Sequence, residues 1–290
     1  MLYTSTEEQI LLKLQELKHL PAPNPVVIKL ISALTEDTTD FQQVADIIKQ
    51  DSSLCAQVLK IANSAYYGLR QQVDSMEKAI QVLGVKEIRS LALVLCFLQE
   101  FNIKDLPSEF DHQAYWTHSL LTASISRQAA KRSKTMREPE ELYICGLLHK
   151  IGLLLLASVA SDEWLRIYRV CHEQQIPWIE AENSLKIRHS AIGLALATYW
   201  NFPRLMASVI RFYPTPEQCP GFSQECAIVN LACCIAHETP EEHQSYSETP
   251  CRERTEILHI AGLSTDDFQE ISDYAGTIRE DIGEVAKLFV

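Results

Sequence analysis

The sequence predicts an all-α protein in two helical parts. Three observations lead there: apolar residues recur at helical spacing, capping residues and glycines punctuate those runs, and no segment alternates apolar and β-branched residues around an Asn-Gly or Asp-Gly turn.

The elements follow in order. Val27, Leu30, Ile31 and Leu34 make one apolar stripe, Phe41, Val44, Ala45 and Ile48 a second, and Met76, Ala79, Ile80 and Leu83 a third. Asp40 with Gln43, and Asp74 with Glu77, have the spacing of capping boxes, and Gly68 and Gly84 read as stops. About six helices are expected between residue 7 and about residue 101. Residues 102–110, with Asn102, Pro107 and Ser108, break the periodicity, so the boundary falls between 1–106 and 107–290. Beyond it a helix is expected from Asp111 to Lys131, carrying Trp116 and His118. Another starts at Pro139, with Glu138, Glu140 and Glu141 at its positive end, and runs through CGLLHKIGLLLL. Shorter helices are expected over 162–174, 188–200, 204–212 and 223–237, with proline-marked loops over 213–222 and 238–252. Phe268, Ile271, Ala275, Ile278, Ile282, Val285 and Phe289 then follow a heptad spacing. This seam reads first as an amphipathic helix packed on its own domain, and second as a homodimer contact through residues 265–290.

Composition narrows the function. With 290 residues, 47% of them hydrophobic, the chain can bury a large core and is not a disordered segment. A net charge of −12 repels a phosphate backbone, so no nucleic-acid partner is expected. The nine cysteines form no CxxC pair and read as reduced thiols of a cytoplasmic protein. The opening MLYTSTEEQI lacks the pattern of a secretory signal, and the longest apolar run, Ile151 to Ala160, is too short to span a bilayer, so no membrane partner is expected.

The chemistry converges on His118 and His149-Lys150. Two imidazoles from neighbouring helices can share one ion, but a hard oxygen ligand normally stands beside them, and a protonated Lys150 has no lone pair to offer. A dication and an ammonium about 4 Å apart repel by roughly 8 kcal/mol at an effective dielectric of about 20. Metal-activated hydrolysis is therefore not expected, no cofactor is assigned, and His118 and His149 read as core histidines or vestigial metal positions. Lys150 has the stem to snorkel to solvent, and Cys145 reads as packing, not as a nucleophile. Walker, GxSxG, HExxH and GxGxxG motifs are absent, so no catalytic residue is assigned.

QDSSLCAQVLKIANSAYYG and SMEKAIQVLGVKEIRSLAL, followed by YWTHS with Trp116 and His118, CGLLHKIG, and the series Glu182, His189, Gly193, Trp200 and Pro203, resemble the HDOD (HD-related output domain) family over about residues 15–212. The resemblance implies an N-terminal helical bundle and a C-terminal degenerate HD-type domain, related to HD and HD-GYP phosphohydrolases but lacking their full metal set. It also implies a regulatory role. Lys150 stands where such members often have Asp, and Arg211-Phe212-Tyr213 where they often have a histidine pair. Relatives are often fused to receiver or cyclic-dinucleotide domains; the short stretch before the match leaves no room for one, so a signalling partner is expected in trans.

The function expected is a non-catalytic bacterial signalling module that binds a protein or small ligand in the groove between its halves. Asn63, Ser64, Tyr66 and Tyr67 are the first candidates, their other reading being a helix-ending turn, and Lys150, His189 and Arg211 are further ones. Two other functions compete: a phosphohydrolase using a divalent metal around His118, His149 and His189, and a nucleotide sensor without turnover, with Lys150 and Arg211 on phosphate.

Overall fold

A computed structural model describes residues 7–9, 12, 25–35, 41–64, 67–100, 106–237 and 254–287. Among them the chain is helical with no strand. The first part holds α1 (Pro25–Thr35), α2 (Phe41–Lys49), α3 (Ser52–Ala62), α4 (Met76–Leu83) and α5 (Val85–Glu100), with α5 packed against α1, α3 and α4. Val27, Leu30, Val44, Ala45, Ile48, Met76, Ala79 and Ile80 of the expected stripes are buried. Phe41, at the start of α2, is exposed instead and Leu83, at the end of α4, half-buried, so the stripe spacing reports the core face except at these helix ends.

Two boundaries differ from expectation. Ser75, not Asp74, caps α4, accepting from the Lys78 amide at 3.3 Å, while Asp74 pairs with the Lys78 ammonium at 2.8 Å. Both residue types suit an N-cap, and the burial of Met76 at the first helical position decides between them. Helix α3 ends at Ala62 with Asn63 as C-cap, so Gly68 belongs to the following loop; Gly84 does end α4, at φ 92°. Asp40 and residues 102–105 lie outside the described residues.

The second part is built around α6 (His112–Arg132), which Asp111 caps by accepting from the Ala114 amide at 2.8 Å. Against α6 pack α7 (Pro139–Leu148), α13 (Ser223–Ala236) and α15 (Thr265–Ala286). Between α7 and α13 the chain forms α8 (Ile151–Val159), α9 (Ser161–Gln174), α10 (Trp178–Leu185), α11 (His189–Tyr199) and α12 (Arg204–Phe212), and α14 (Arg254–Ala261) precedes α15. Helix α10 has no counterpart in the periodicity reading; it is short and opens at Pro177, whose fixed φ suits a helix start. The heptad seam packs within the chain: Ile271, Ala275, Ile282 and Val285 are buried, Phe268 and Ile278 half-buried, and the helix lies along α6. Phe289 and the expected loop over 238–252 lie outside the described residues.

The helix expected through CGLLHKIGLLLL breaks in two. His149 and Lys150 form the turn between α7 and α8. Counted across that turn, Pro139–Val159 has the length to cross a bilayer and holds an 18-residue window of mean hydropathy 1.9, which the shorter run from Ile151 did not suggest. Yet 89% of that window is buried inside the protein, as befits a central core element. One continuous hydrophobic core runs from Val26 to Ala286 and joins both parts. The eight described cysteines are all free thiols.

Candidate functional site

Two glycines of CGLLHKIG set the geometry around the turn. A Cβ on Gly146 would lie 2.9 Å from the Ala123 Cα of α6, and one on Gly152 only 2.0 Å from the His189 carbonyl and 2.5 Å from the Gly193 amide. Three residues before and three after His149, glycine thus lets α6 and α11 approach closer than any side chain permits. His118 and His149 meet as a result, their ring centroids 5.4 Å apart.

Each ring is held by its own contacts. His149 Nδ1 lies 2.6 Å from the Gly146 carbonyl; that oxygen only accepts, so Nδ1 carries the proton and Nε2 the lone pair. His118 Nε2 lies 3.5 Å from Cys233 Sγ on α13 and 3.4 Å from Thr122 Oγ1. His237, the C-cap of α13, stacks on His118 with centroids 3.9 Å apart, and Lys150 Nζ donates to His237 Nε2 at 2.9 Å. Lys150 does not snorkel: it is 2% exposed, because the turn aims its stem inward to the imidazole that accepts from it. The Arg279 guanidinium donates to the Ile235 and Ala236 carbonyls, setting a cation at the negative end of α13. Burial first, and then the neighbouring His237, Lys150, His149 and Arg279, which would repel a second positive charge, push the His118 pKa well below 6.5.

A second chain of polar groups lies behind the first. Glu182 Oε1 accepts from Trp178 Nε1 at 2.9 Å and from the His189 amide at 3.1 Å, and stands 2.8 Å from His189 Nδ1. His189 Nε2 is 2.6 Å from the Tyr213 hydroxyl, and the Tyr213 ring meets His149 edge-on at 4.8 Å. His189 is therefore committed to Glu182 and Tyr213, and does not join His118 and His149 as a third metal ligand. The group that does converge is His118, His149 and Cys233, whose ligand atoms all lie within 4.8 Å of one another. Cys233 and His237 are one helical turn apart, a spacing visible in the sequence but unremarkable among so many apolar neighbours. Arg211 donates to Ser190 Oγ at 3.3 Å. Burial pushes the Cys145 thiol far above its ordinary range, in keeping with a packing role.

The NSAYYG residues have separate duties. The Asn63 side chain donates to the Leu59 and Val73 carbonyls and accepts from the Val73 amide, each at 2.8 Å, clamping the loop that follows α3. Ser64 is half-buried in that turn, and Tyr66 lies outside the described residues. The Tyr67 hydroxyl donates to Glu87 at 2.9 Å, and Glu87 accepts from Arg127 of α6 at 2.7 Å, so Tyr67 reaches across the junction of the two parts. There it lines a small cleft with Leu91, Val94, Leu120, Ser124 and Ile282.

His118 and His149 thus meet inside an all-helical core, with the buried Lys150 beside them at the helix break, which defines an all-helical class whose core carries a cluster of histidines. The HDOD domain profile matches residues 20–216, and the chain belongs to the HDOD domain family. The fold is similar to that of an HDOD domain protein of unknown function from Geobacter sulfurreducens, at 21% identity over 99% of each chain with a TM-score of 0.81. It is also similar to a Marinobacter aquaeolei VT8 protein provisionally described as a signal transduction protein, at 22% identity over 95% of this chain and 61% of that one, with a TM-score of 0.80. An uncharacterized protein of Treponema pallidum is 22% identical over 236 residues, which are 79% of this chain but 45% of the relative. The chain thus spans about half the length of that relative.

Proposed function

We propose that this chain is a non-catalytic regulatory module of bacterial signalling, acting in the cytoplasm by binding a protein partner or small ligand. The observation that carries this reading is the buried Lys150 ammonium on His237 Nε2, beside the two imidazoles that would otherwise share a divalent ion. Among the described residues no carboxylate joins the group formed by His118, His149 and Cys233, and a hydrolytic centre normally adds such a hard oxygen ligand. Lys150 is also enclosed, so it is not presented to an incoming phosphate.

The Tyr67 cleft is the better place for a partner or ligand, since it opens at the junction of the two parts. Asn63 supports it from behind by fixing the preceding loop. The test is capture of partners from a native lysate by the wild-type chain and by Tyr67→Ala. A partner retained by the first and lost by the second supports the reading; indifference of every captured protein to the change removes the cleft as the site.

A further inference from the structure

We propose that Cys219 and Cys226 form a reversible disulfide on exposure to a hydroperoxide, with Cys219 the reacting thiol and Cys226 the resolving one. The local sequence brings the two together. Cys219 closes the short 3-10 turn Pro216–Gln218, its amide donating to the Pro216 carbonyl at 3.1 Å. Pro220 and Gly221 then reverse the chain, Gly221 at φ 90°, a region that favours glycine, and α13 starts at Ser223. Cys226 stands in the first turn of α13, its amide donating to the Phe222 carbonyl at 3.0 Å. There the two thiols lie against each other, and Ser208 of α12 meets both. Its hydroxyl donates to Cys219, and its carbonyl lies 3.7 Å from Cys226 Sγ. Cys226 has one proton to give, and a Cys219 thiolate accepts it more strongly than a neutral carbonyl does.

Exposure and hydrogen bonding divide the roles. Cys219 is 7% exposed, between the exposed Gln218 and Pro220, whereas Cys226 is 0% exposed, so a small peroxide meets Cys219 first. The Cys226 thiol, the Phe222 amide and the Ser208 hydroxyl all donate to Cys219 and hold its thiol below the ordinary range, against burial and the Glu225 charge. The same contact with Cys219, and then burial, push the Cys226 thiol up. The Cys219 thiolate attacks the peroxide: an S–O bond forms, the O–O bond breaks, and water or an alcohol leaves with one proton. Cys226 sulfur then attacks Cys219 sulfur; the S–S bond forms, the S–O bond breaks, and hydroxide departs with the Cys226 proton as water. Two thiols are oxidised and one peroxide is reduced. The bond staples the connection between α12 and α13, which begins at Tyr213, the partner of His189. This inference is independent of the cleft at Tyr67.

The experiment uses the full chain, reduced and then treated with hydrogen peroxide, denatured in an alkylating agent and cleaved after glutamate, a cut at Glu225 that parts the two cysteines. Mass spectrometry should find the peptide of Cys219 joined to that of Cys226, with fragmentation placing the bond at Cys226 and not at Cys233 or Cys234, and dithiothreitol should release it. Cys226→Ser should stop at the sulfenic acid, trapped on Cys219 by dimedone. Cys219→Ser should slow peroxide consumption at least about tenfold, and Cys55→Ser should leave the cross-link unchanged. The wild-type digest keeps the test decisive even where a variant does not fold. A wild-type chain whose Cys219 stays reduced, is oxidised beyond the sulfenic acid without a cross-link, or pairs with Cys233 or Cys234 would overturn the assignment, as would Cys226→Ser without dimedone on Cys219.

Discussion

The Lys150 ammonium donates to His237 Nε2 at 2.9 Å, joining the turn between two core helices to the end of a third, 87 residues further along. Removing the acceptor should leave a buried charge with one hydrogen bond fewer. His237→Ala is expected to cost about 1.5–3 kcal/mol in chemical denaturation, and Lys150→Met combined with His237→Ala to recover at least about half of that. Additive losses in the double variant would show that the two side chains do not act as a pair.

The crossing of α8 and α11 depends on Gly152. Gly152→Ala should cost about 1–3 kcal/mol or more, because its Cβ would fall on the His189 carbonyl and the Gly193 backbone. Gly276→Ala, in the exposed middle of α15 with nothing near its Cβ, should instead stabilise the chain by about 0.5–1 kcal/mol. Urea midpoints of the two variants check both signs.

Acid should loosen the metal-free protein earlier than a neutral core would. The folded pKa of His118 lies well below its ordinary 6.5, so below about pH 6.5 the unfolded chain takes up a proton that the folded chain refuses. Stability is therefore greatest above that pH and falls as pH drops from 6.5 towards the depressed value. His118→Phe should flatten this slope in denaturation series between about pH 7 and about pH 5; an unchanged slope would assign it to other groups.

Asn63 and Tyr67 should separate in experiment. Asn63→Ala removes three hydrogen bonds to backbone groups and should lower stability by about 1–3 kcal/mol. Tyr67→Phe keeps the ring in the cleft and loses the bond to Glu87, so its cost should be nearer about 1 kcal/mol. Thermal melts of the two variants give the comparison.

The helices were largely legible because buried stripes such as Val44, Ala45 and Ile48 repeat at the helical period, and that period is local. His118 and His149 stood out for the same reason, as polar residues on apolar helices. The break at His149-Lys150 was not legible, since it depends on Gly152 meeting Gly193 on a helix some 40 residues away in sequence. Lys150 looked free to reach solvent because its acceptor, His237, is remote in the chain. Glu182, His189 and Tyr213 fell in one stretch of sequence, but their alignment into a single hydrogen-bonded chain needed α10, too short and weakly patterned to detect. Asp74 and Ser75 are adjacent residues equally suited to cap, and only packing chose between them.

With Lys150 buried beside His118 and His149, where hydrolysis would need a carboxylate ligand, the protein should turn over no phosphodiester. Wild-type protein and His149→Ala should be assayed side by side with bis(p-nitrophenyl) phosphate in saturating Mn²⁺. Equal, background rates are the predicted result; turnover by the wild type that His149→Ala abolishes would contradict it.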